Sequence, residues 1–200
     1  MKFSNHNNVN LMNIAEVIHR IIRFTEELNK FWSSAQGWAP IEAAQLLTKS
    51  RLDWQVSLAH YLSEWEDDPI SEKYDGGLIL AWSNLGSLVE GTMKLFLSVY
   101  YMDYQEDVNA IKKRDKLVDS DRLELEQLRQ FFIKRIWLND SEWKEWVLHV
   151  QQRRNAIHSF RDRKIGSFDD LRSDVRRYLE FIRYHNSRLP YPDEVFCPFF

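Results

Sequence analysis

The sequence predicts an all-α protein, a single helical bundle with about six main helices. Helix breakers are scarce, because the 200 residues include only 6 Gly and 5 Pro, and three of the prolines follow residue 189. Several long stretches space their apolar residues by three and four, as one face of a helix does. No stretch shows the sustained alternation of apolar and polar residues, bounded by turn residues, that is typical of a strand.

The first two helices are predicted over residues 9–33 and 40–66. Pro40 ends the first helix and suits the first turn of the second, which Pro69 ends. We expect these N-terminal helices, within residues 1–70, to pack on a core formed by the later ones. The apolar face of the first helix consists of Leu11, Ile14, Val17, Ile18, Ile21, Ile22 and Leu28.

The third helix is the most apolar segment of the chain, and we expect it to be central. Its apolar residues recur at steps of three and four over more than six turns, which is typical of a helix covered on several sides. Glu90 and Lys94, one turn apart, interrupt this surface. Gly76 and Gly77 are interpreted as a hinge before the helix. The stripe consists of Leu78, Trp82, Leu85, Val89, Met93, Phe96 and Tyr100.

Three further helices follow a charged linker, residues 106–121, which we interpret as a solvated connection. The fourth helix carries Leu125, Leu128, Phe131, Phe132 and Ile136. The fifth begins near Asn139, with Glu142 as a capping partner, and continues to about Phe160. The sixth begins at Ser167, where Ser-Phe-Asp-Asp matches a capping box, and continues to about Arg188.

The chain is interpreted as one domain over residues 1–200, since it shows no repeat and no low-complexity tract. The core is expected at about residues 78–188, and residues 189–200 form a Pro-rich tail. The longest apolar run, Leu78–Trp82, is far shorter than the roughly 18 to 20 residues that cross a bilayer. A polar N-terminus without a signal-peptide stretch then predicts a soluble, cytoplasmic protein that has no membrane contact.

Several kinds of site are excluded by residue type. The single cysteine, Cys197, provides neither an internal disulfide nor a cysteine zinc site. We therefore predict no metal and no cofactor, because no two histidines stand with carboxylates at metal-ligand spacing and no Gly-rich phosphate loop is present. Four of the eight tryptophans are expected to pack in the core rather than stack on bases: Trp82, Trp137, Trp143 and Trp146.

The net charge of −3 hides an uneven distribution. Residues 1–150 carry an excess of 6 acidic groups, whereas residues 151–188 carry an excess of 5 basic ones, nearly all arginine. Arginine is the side chain best suited to bidentate phosphate contact, so this segment is compatible with a localised RNA or phosphate site. The alternative is a solvated helical face with surface ion pairs.

The segment QQRRNAIHSFRDR, residues 151–163, is the most informative part of the sequence. At about 100° per residue, Arg154 and His158 fall within the apolar stripe of the fifth helix, while Arg153 and Asn155 fall at its edges. Polar groups there are costly unless they are paired or face a cleft or a partner subunit.

An arginine and a histidine together suit RNA cleavage without a metal. The histidine moves a proton at the 2′-hydroxyl or at the leaving oxygen, and the guanidinium stabilises charge on the phosphate. The alternative is structural: a buried histidine bonded to backbone, with an arginine that bridges to a carboxylate such as Glu90.

The run RRNAIHSF resembles the signature of the HEPN superfamily, all-α proteins with an arginine four to six residues before a histidine and a polar residue after the arginine. Arg153 has the family spacing to His158, whereas Arg154 directly precedes Asn155, so both arginines are candidates. The resemblance covers about residues 78–188.

The resemblance implies a metal-independent endoribonuclease of the toxin or phage-defence type, with an antitoxin as a further protein partner. It also implies a homodimer in which two motifs form one composite cleft. The candidate catalytic residues are His158, Arg153, Arg154 and Asn155; the supporting candidates are Glu90, Lys94 and Arg161. A non-catalytic module that binds RNA, a nucleotide or a protein is the second hypothesis, and a purely structural helical protein is the third.

Overall fold

A computed structural model of the protein describes residues 9, 12–138, 141–158, 160 and 162–191. Eight α-helices are present in this part of the chain, and the prediction of an all-α protein is confirmed. They are α1 (Ile14–Trp32), α2 (Ile41–Lys49), α3 (Leu52–His60), α4 (Tyr74–Val99), α5 (Tyr101–Glu106), α6 (Leu125–Arg135), α7 (Ser141–Arg154) and α8 (Phe168–Asn186). No helix in the described ranges has the length and apolar character that crossing a membrane requires.

Helix α4 is central, as its apolar stripe predicts. It carries 14 buried residues and contacts α2, α3, α6, α7 and α8. The buried apolar side chains of all eight helices form one continuous cluster around it. The four tryptophans assigned to the core are indeed buried: Trp82, Trp137, Trp143 and Trp146.

The N-terminal helices are shorter than the sequence predicts. Helix α1 begins at Ile14, because the side chain of Asn13 accepts a hydrogen bond from the Ala15 N–H and caps the helix. The prediction of one helix over residues 40–66 is wrong. Ser50 has an extended backbone and its hydroxyl donates to the Leu47 carbonyl at 2.6 Å, which separates α2 from α3.

The interpretation of Gly76 and Gly77 as a hinge is also wrong, because α4 begins at Tyr74 and both glycines lie inside it. A Cβ on Gly77 would lie 3.1 Å from Pro69 Cγ and 3.5 Å from the Trp65 ring. The glycine at this position therefore permits close packing onto α4.

The charged linker is only partly solvated, because Ala110 and Ser120 are buried, and it contains a short β-hairpin that the sequence analysis did not predict. Strands β1 (Lys112–Lys113) and β2 (Lys116–Leu117) pair antiparallel. Arg114 and Asp115 form the two-residue turn with φ values of 53° and 60°, as a type I′ hairpin turn requires. Because residues 112–116 are exposed, the hairpin adds little to the core.

Helices α7 and α8 carry the segment with the candidate site. The capping box at Ser167 is confirmed, since its hydroxyl accepts from the Asp170 N–H and the Asp170 carboxylate accepts from the Ser167 N–H. The fifth predicted helix, α7, ends at Arg154 rather than near Phe160, and Asn155–His158 form a 3-10 turn. The cap predicted at Asn139 lies outside the described residues.

Candidate functional site

Arg154, the last residue of α7, lies against α4 and pairs with a carboxylate there. Its Nη2 atom is 3.1 Å from Glu90 Oε2, and Lys94 Nζ is 2.9 Å from Glu90 Oε1. The Arg154, Glu90 and Lys94 side chains are 30%, 17% and 27% exposed. The Glu90 carboxylate thus lies between two cations and orients the arginine, which is one of the two roles that the sequence left open.

Gly86 makes room for Arg154. A Cβ at this position would lie 2.7 to 2.9 Å from the Cδ, Cγ and Cβ atoms of Arg154, closer than carbon atoms pack. The absence of a side chain therefore lets the arginine cross α4. The sequence analysis did not identify Gly86, although a glycine inside the most apolar helix is itself a signal of close packing.

His158 does not share the face of Arg154, and its predicted place in the apolar stripe is wrong. The chain changes from α-helix to 3-10 helix after Arg154, and a 3-10 helix turns about 120° per residue instead of about 100°. Four residues then rotate His158 by about 120° from Arg154 instead of about 40°. His158 is exposed, whereas Ala156 carries the buried side of the turn.

The other residues around His158 form an open and partly apolar surface. Asn155 is half-buried, Ile157 is 44% exposed and Phe160 is fully exposed. The supporting candidate Arg161 lies outside the described residues. The accessible end of α7 therefore combines an imidazole with exposed apolar side chains.

Arg153 enters a different environment, because neighbouring residues point about 100° apart around a helix. Its guanidinium carbon lies 4.7 Å from the centroid of the buried Trp82 ring. Its Nη1 atom donates to the Ile165 carbonyl at 3.3 Å and lies 3.6 Å from Asp170 Oδ2. With a side chain only 16% exposed, Arg153 holds the loop between α7 and α8 in place.

The loop is shaped to fit Arg153. Gly166 has a φ of +75°, and a Cβ there would lie 2.3 Å from Arg153 Nη1 and 2.4 Å from Asp170 Oδ2. The backbone N–H of Ser167 donates to Asp170 and lowers the pKa of its carboxyl, and Arg153 lowers it further. Asp170 is therefore a stable anion at the start of α8.

Arg153 is the last member of a row of polar contacts that we call the α7–α8 seam. The seam consists of Glu142, Trp146, His149 and Arg153 on α7 and Asp170, Asp174 and Arg177 on α8. Asp174 accepts from Trp146 Nε1 and lies beside His149 Nε2, both at 2.8 Å. Arg177 donates to Glu142 at 2.9 Å, so the seam connects the two helices along most of α7.

Asp174 is a buried carboxylate of the seam that sequence reasoning missed. A signal was present, because it lies between Leu171 and Tyr178 on the buried face of α8, where a carboxylate is unexpected. Both of its oxygens are engaged, and its side chain is 13% exposed.

Several arginines of the basic segment form ion pairs or backbone hydrogen bonds. Arg172 pairs with Asp68 and Asp169, and Arg176 donates to the Met12 carbonyl. The interpretation of this segment as a face with surface ion pairs therefore describes Arg172, whereas Arg176 bonds to backbone carbonyls and Arg154 pairs with Glu90 at a partly exposed surface of α4.

Metal-ligand side chains do not cluster in the described ranges, where no group of three or more His, Cys, Asp or Glu residues could hold an ion. Two of the histidines have structural partners. His149 belongs to the seam, and the buried His185 lies 3.0 Å from Trp137 Nε1.

Comparison with known proteins leaves the site to be interpreted from its own geometry. No family model matches the chain, and no curated protein or solved structure matches it.

Proposed function

We propose that the protein is a HEPN-like, metal-independent endoribonuclease of the toxin or phage-defence type. The observation that carries the proposal is the exposed imidazole of His158, four residues beyond an arginine that a carboxylate holds on α4. Such an arrangement supplies a proton-transfer group and a phosphate-binding cation without a metal.

The two candidate arginines take different roles in this proposal. Arg154 is the group that stabilises the phosphate, because it is the more exposed of the two and Lys94 lies on the other side of its partner Glu90. Arg153 is a positioning residue that fixes the end of α7. Asn155 stands beside Arg154 and orients the substrate.

The reaction is an internal transfer of the phosphodiester. The 2′-oxygen forms a bond to phosphorus, the bond from phosphorus to the 5′-oxygen breaks, and a 2′,3′-cyclic phosphate results. One proton leaves the 2′-hydroxyl and one is delivered to the 5′-oxygen. His158 transfers one of these protons, and His158 of a second copy transfers the other in the proposed homodimer.

The experiment is incubation of the purified protein with a mixed RNA pool in EDTA, beside His158→Ala and the control His19→Ala. His19 is also exposed but lies on α1. We expect cleavage by the wild type and the control, products with 2′,3′-cyclic ends, and a loss of at least about 100-fold in His158→Ala. Cleavage that survives in His158→Ala removes this residue from the mechanism, and a folded wild type that cleaves no RNA contradicts the proposal.

A second candidate function is a non-catalytic module that binds RNA, a nucleotide or a protein such as an antitoxin. The ion pairs of Arg154 with Glu90 and of Arg153 with Asp170 favour it, because each guanidinium already faces a carboxylate of the same chain. This module binds RNA in a phosphate-dependent manner and releases it unchanged.

A further inference from the structure

A cavity of about 280 Å³ lies between the ends of α4 and α6, beside α5 and the turn that follows α8. Its apolar side chains belong to the core cluster or pack against it, and they also line this opening. Ligand-binding cavities combine such a lining with a few polar groups, and most measure about 300 to 1,000 Å³. At a size just below that range, this cavity fits a ligand with a compact apolar body. The apolar lining consists of Phe96, Leu97, Phe131 and Ile136.

Tyr100 borders the cavity and joins α4 to the end of α8. Its hydroxyl donates to the Arg188 carbonyl, and the centroid of its ring lies 5.0 Å from that of Phe96. Burial raises the pKa of the Tyr100 hydroxyl, the positive charge of Arg188 lowers this pKa, and the negative charge of Asp103 raises it. Two opposite charges therefore act on one hydroxyl, and both of these residues line the cavity.

The guanidinium of Arg188 is held in place without a carboxylate. Its Nη1 atom donates to the Tyr184 hydroxyl at 2.6 Å and to the Ile136 carbonyl at 3.3 Å. Its carbon atom lies 5.0 Å from the centroid of the Tyr184 ring. Among the described residues Arg188 forms no ion pair, and a guanidinium has five N–H donors, so Nε and Nη2 keep donors for a ligand.

Asp103 supplies a negative charge on the same cavity. It lies on α5 and is exposed, and within the described ranges its carboxylate has neither an ion pair nor a hydrogen bond. The neighbouring Asp107 differs, because Arg135 pairs with it and the Asn109 N–H donates to it at 2.7 Å. One pair of charges is thus neutralised within the chain, whereas the described residues leave Asp103 and Arg188 unpaired.

An apolar lining with two separate and opposite charges has a specific chemical complement. An ammonium group can pair with Asp103 and a carboxylate can pair with Arg188, and such charge-assisted hydrogen bonds are stronger than neutral ones. An apolar group attached to both leaves water when it enters the cavity. A molecule that carries an ammonium group, a carboxylate and an apolar group on one carbon atom is an α-amino acid.

We propose that this cavity binds a free α-amino acid with an aliphatic or aromatic side chain. The carboxylate of the ligand accepts from Arg188, its ammonium group pairs with Asp103, and its side chain packs on the apolar lining. The lining contains none of the described residues of the proposed ribonuclease site. The inference therefore goes beyond the proposed function and does not depend on it.

The test titrates the full wild-type chain with L-phenylalanine and L-leucine by isothermal calorimetry, beside analogues that each lack one group. The analogue 2-phenylethylamine lacks the carboxylate, 3-phenylpropionate lacks the ammonium group, and glycine lacks the apolar group. We expect at least one of the two amino acids to bind. Each analogue should bind at least about tenfold more weakly, because it loses a charge-assisted hydrogen bond or the apolar contact.

Two variants with exposed substitutions assign the charges of the ligand. Asp103→Asn should weaken amino-acid binding by about tenfold without weakening 3-phenylpropionate, which has no ammonium group. Arg188→Gln should weaken amino-acid binding to a similar degree without weakening 2-phenylethylamine, which has no carboxylate. Asp75→Asn is the matched control and leaves every affinity unchanged, since this exposed aspartate lies at the opposite end of α4.

The inference is overturned if the folded wild type binds neither amino acid, or if either single-charge analogue or glycine binds as tightly. It is also overturned if Asp103→Asn binds like Asp75→Asn. A loss of 3-phenylpropionate binding in Asp103→Asn, equal to the loss for the amino acid, overturns it as well, because the effect then does not depend on the ammonium group. Circular dichroism of each variant shows that a loss of binding does not come from unfolding.

Discussion

The α7–α8 seam and the ion-pair cluster of Arg154 with Glu90 and Lys94 on α4 engage the two adjacent arginines of α7 differently. Arg153 and Arg154 are adjacent in the chain, yet Arg153 lies against a buried ring and a loop carbonyl, and Arg154 lies on a partly open surface. In the seam nearly every charge has a partner on the next helix. The comparison shows that two adjacent arginines can differ in role: Arg153 holds the loop between α7 and α8 in place, and Arg154 is a candidate phosphate ligand.

The largest effect is expected when the Trp82 ring, which supports the seam residue Arg153, is removed. Trp82 is fully buried, its Nε1 atom donates to the Ile165 carbonyl at 2.8 Å, and its ring carries Arg153. Trp82→Ala should therefore lower the free energy of unfolding by about 3–5 kcal/mol in urea titrations. Trp54→Ala, which removes a 58% exposed ring on α3, should change it by less than about 1 kcal/mol. Equal losses in the two variants would mean that the buried Trp82 ring does not stabilise the fold more than an exposed ring does.

The next effect separates the two arginines. Arg154→Ala should lower kcat/KM for RNA cleavage by about 100-fold with little change in stability, because the proposed mechanism assigns its guanidinium to the substrate phosphate. Arg153→Ala should lower the free energy of unfolding by about 1–2 kcal/mol, since it breaks the contacts with Trp82 and Ile165. Steady-state kinetics measure kcat/KM and urea titration measures the free energy of unfolding for both variants. The reverse assignment follows if Arg153→Ala loses activity at unchanged stability.

The smallest effect concerns the acid dependence of the seam. The pKa of Asp170 is lowered in the folded protein, first by the hydrogen bond from the Ser167 N–H. A depressed folded pKa contributes stability that is present above the unfolded value, about 3.9, and is lost as pH falls through the folded pKa. Asp170→Asn should therefore lie below the wild type in stability at pH 6 and approach it towards pH 3 in urea titrations. A constant difference over this range would mean that ionisation of Asp170 does not contribute.

Most of the helical architecture could be predicted from the sequence, because the apolar spacing and the scarcity of Gly and Pro act locally. The capping box at Ser167 and the central position of α4 are such features. The break at Ser50 could not be predicted from periodicity, since it depends on a hydroxyl that bonds to a preceding carbonyl.

The candidate site was only partly predictable, because its geometry depends on contacts between distant segments. The pairing of Arg154 with Glu90 was one of the alternatives that the sequence offered. The orientation of His158 was predicted wrongly, since a change from α-helical to 3-10 geometry has no periodicity signal over four residues. The separation of Arg153 from Arg154 needed the positions of Gly86 and Gly166, where absent side chains admit each arginine.

The central claim is that His158 and Arg154 cleave RNA without a metal, and one measurement tests it most directly. It is the single-turnover rate at which a single-stranded RNA oligonucleotide acquires a 2′,3′-cyclic phosphate in EDTA, for the wild type and for folded His158→Ala and Arg154→Ala variants. We predict cleavage by the wild type and a rate at least about 100-fold lower in each variant. Equal rates in all three proteins, or no cleavage by a folded wild type, would contradict the claim.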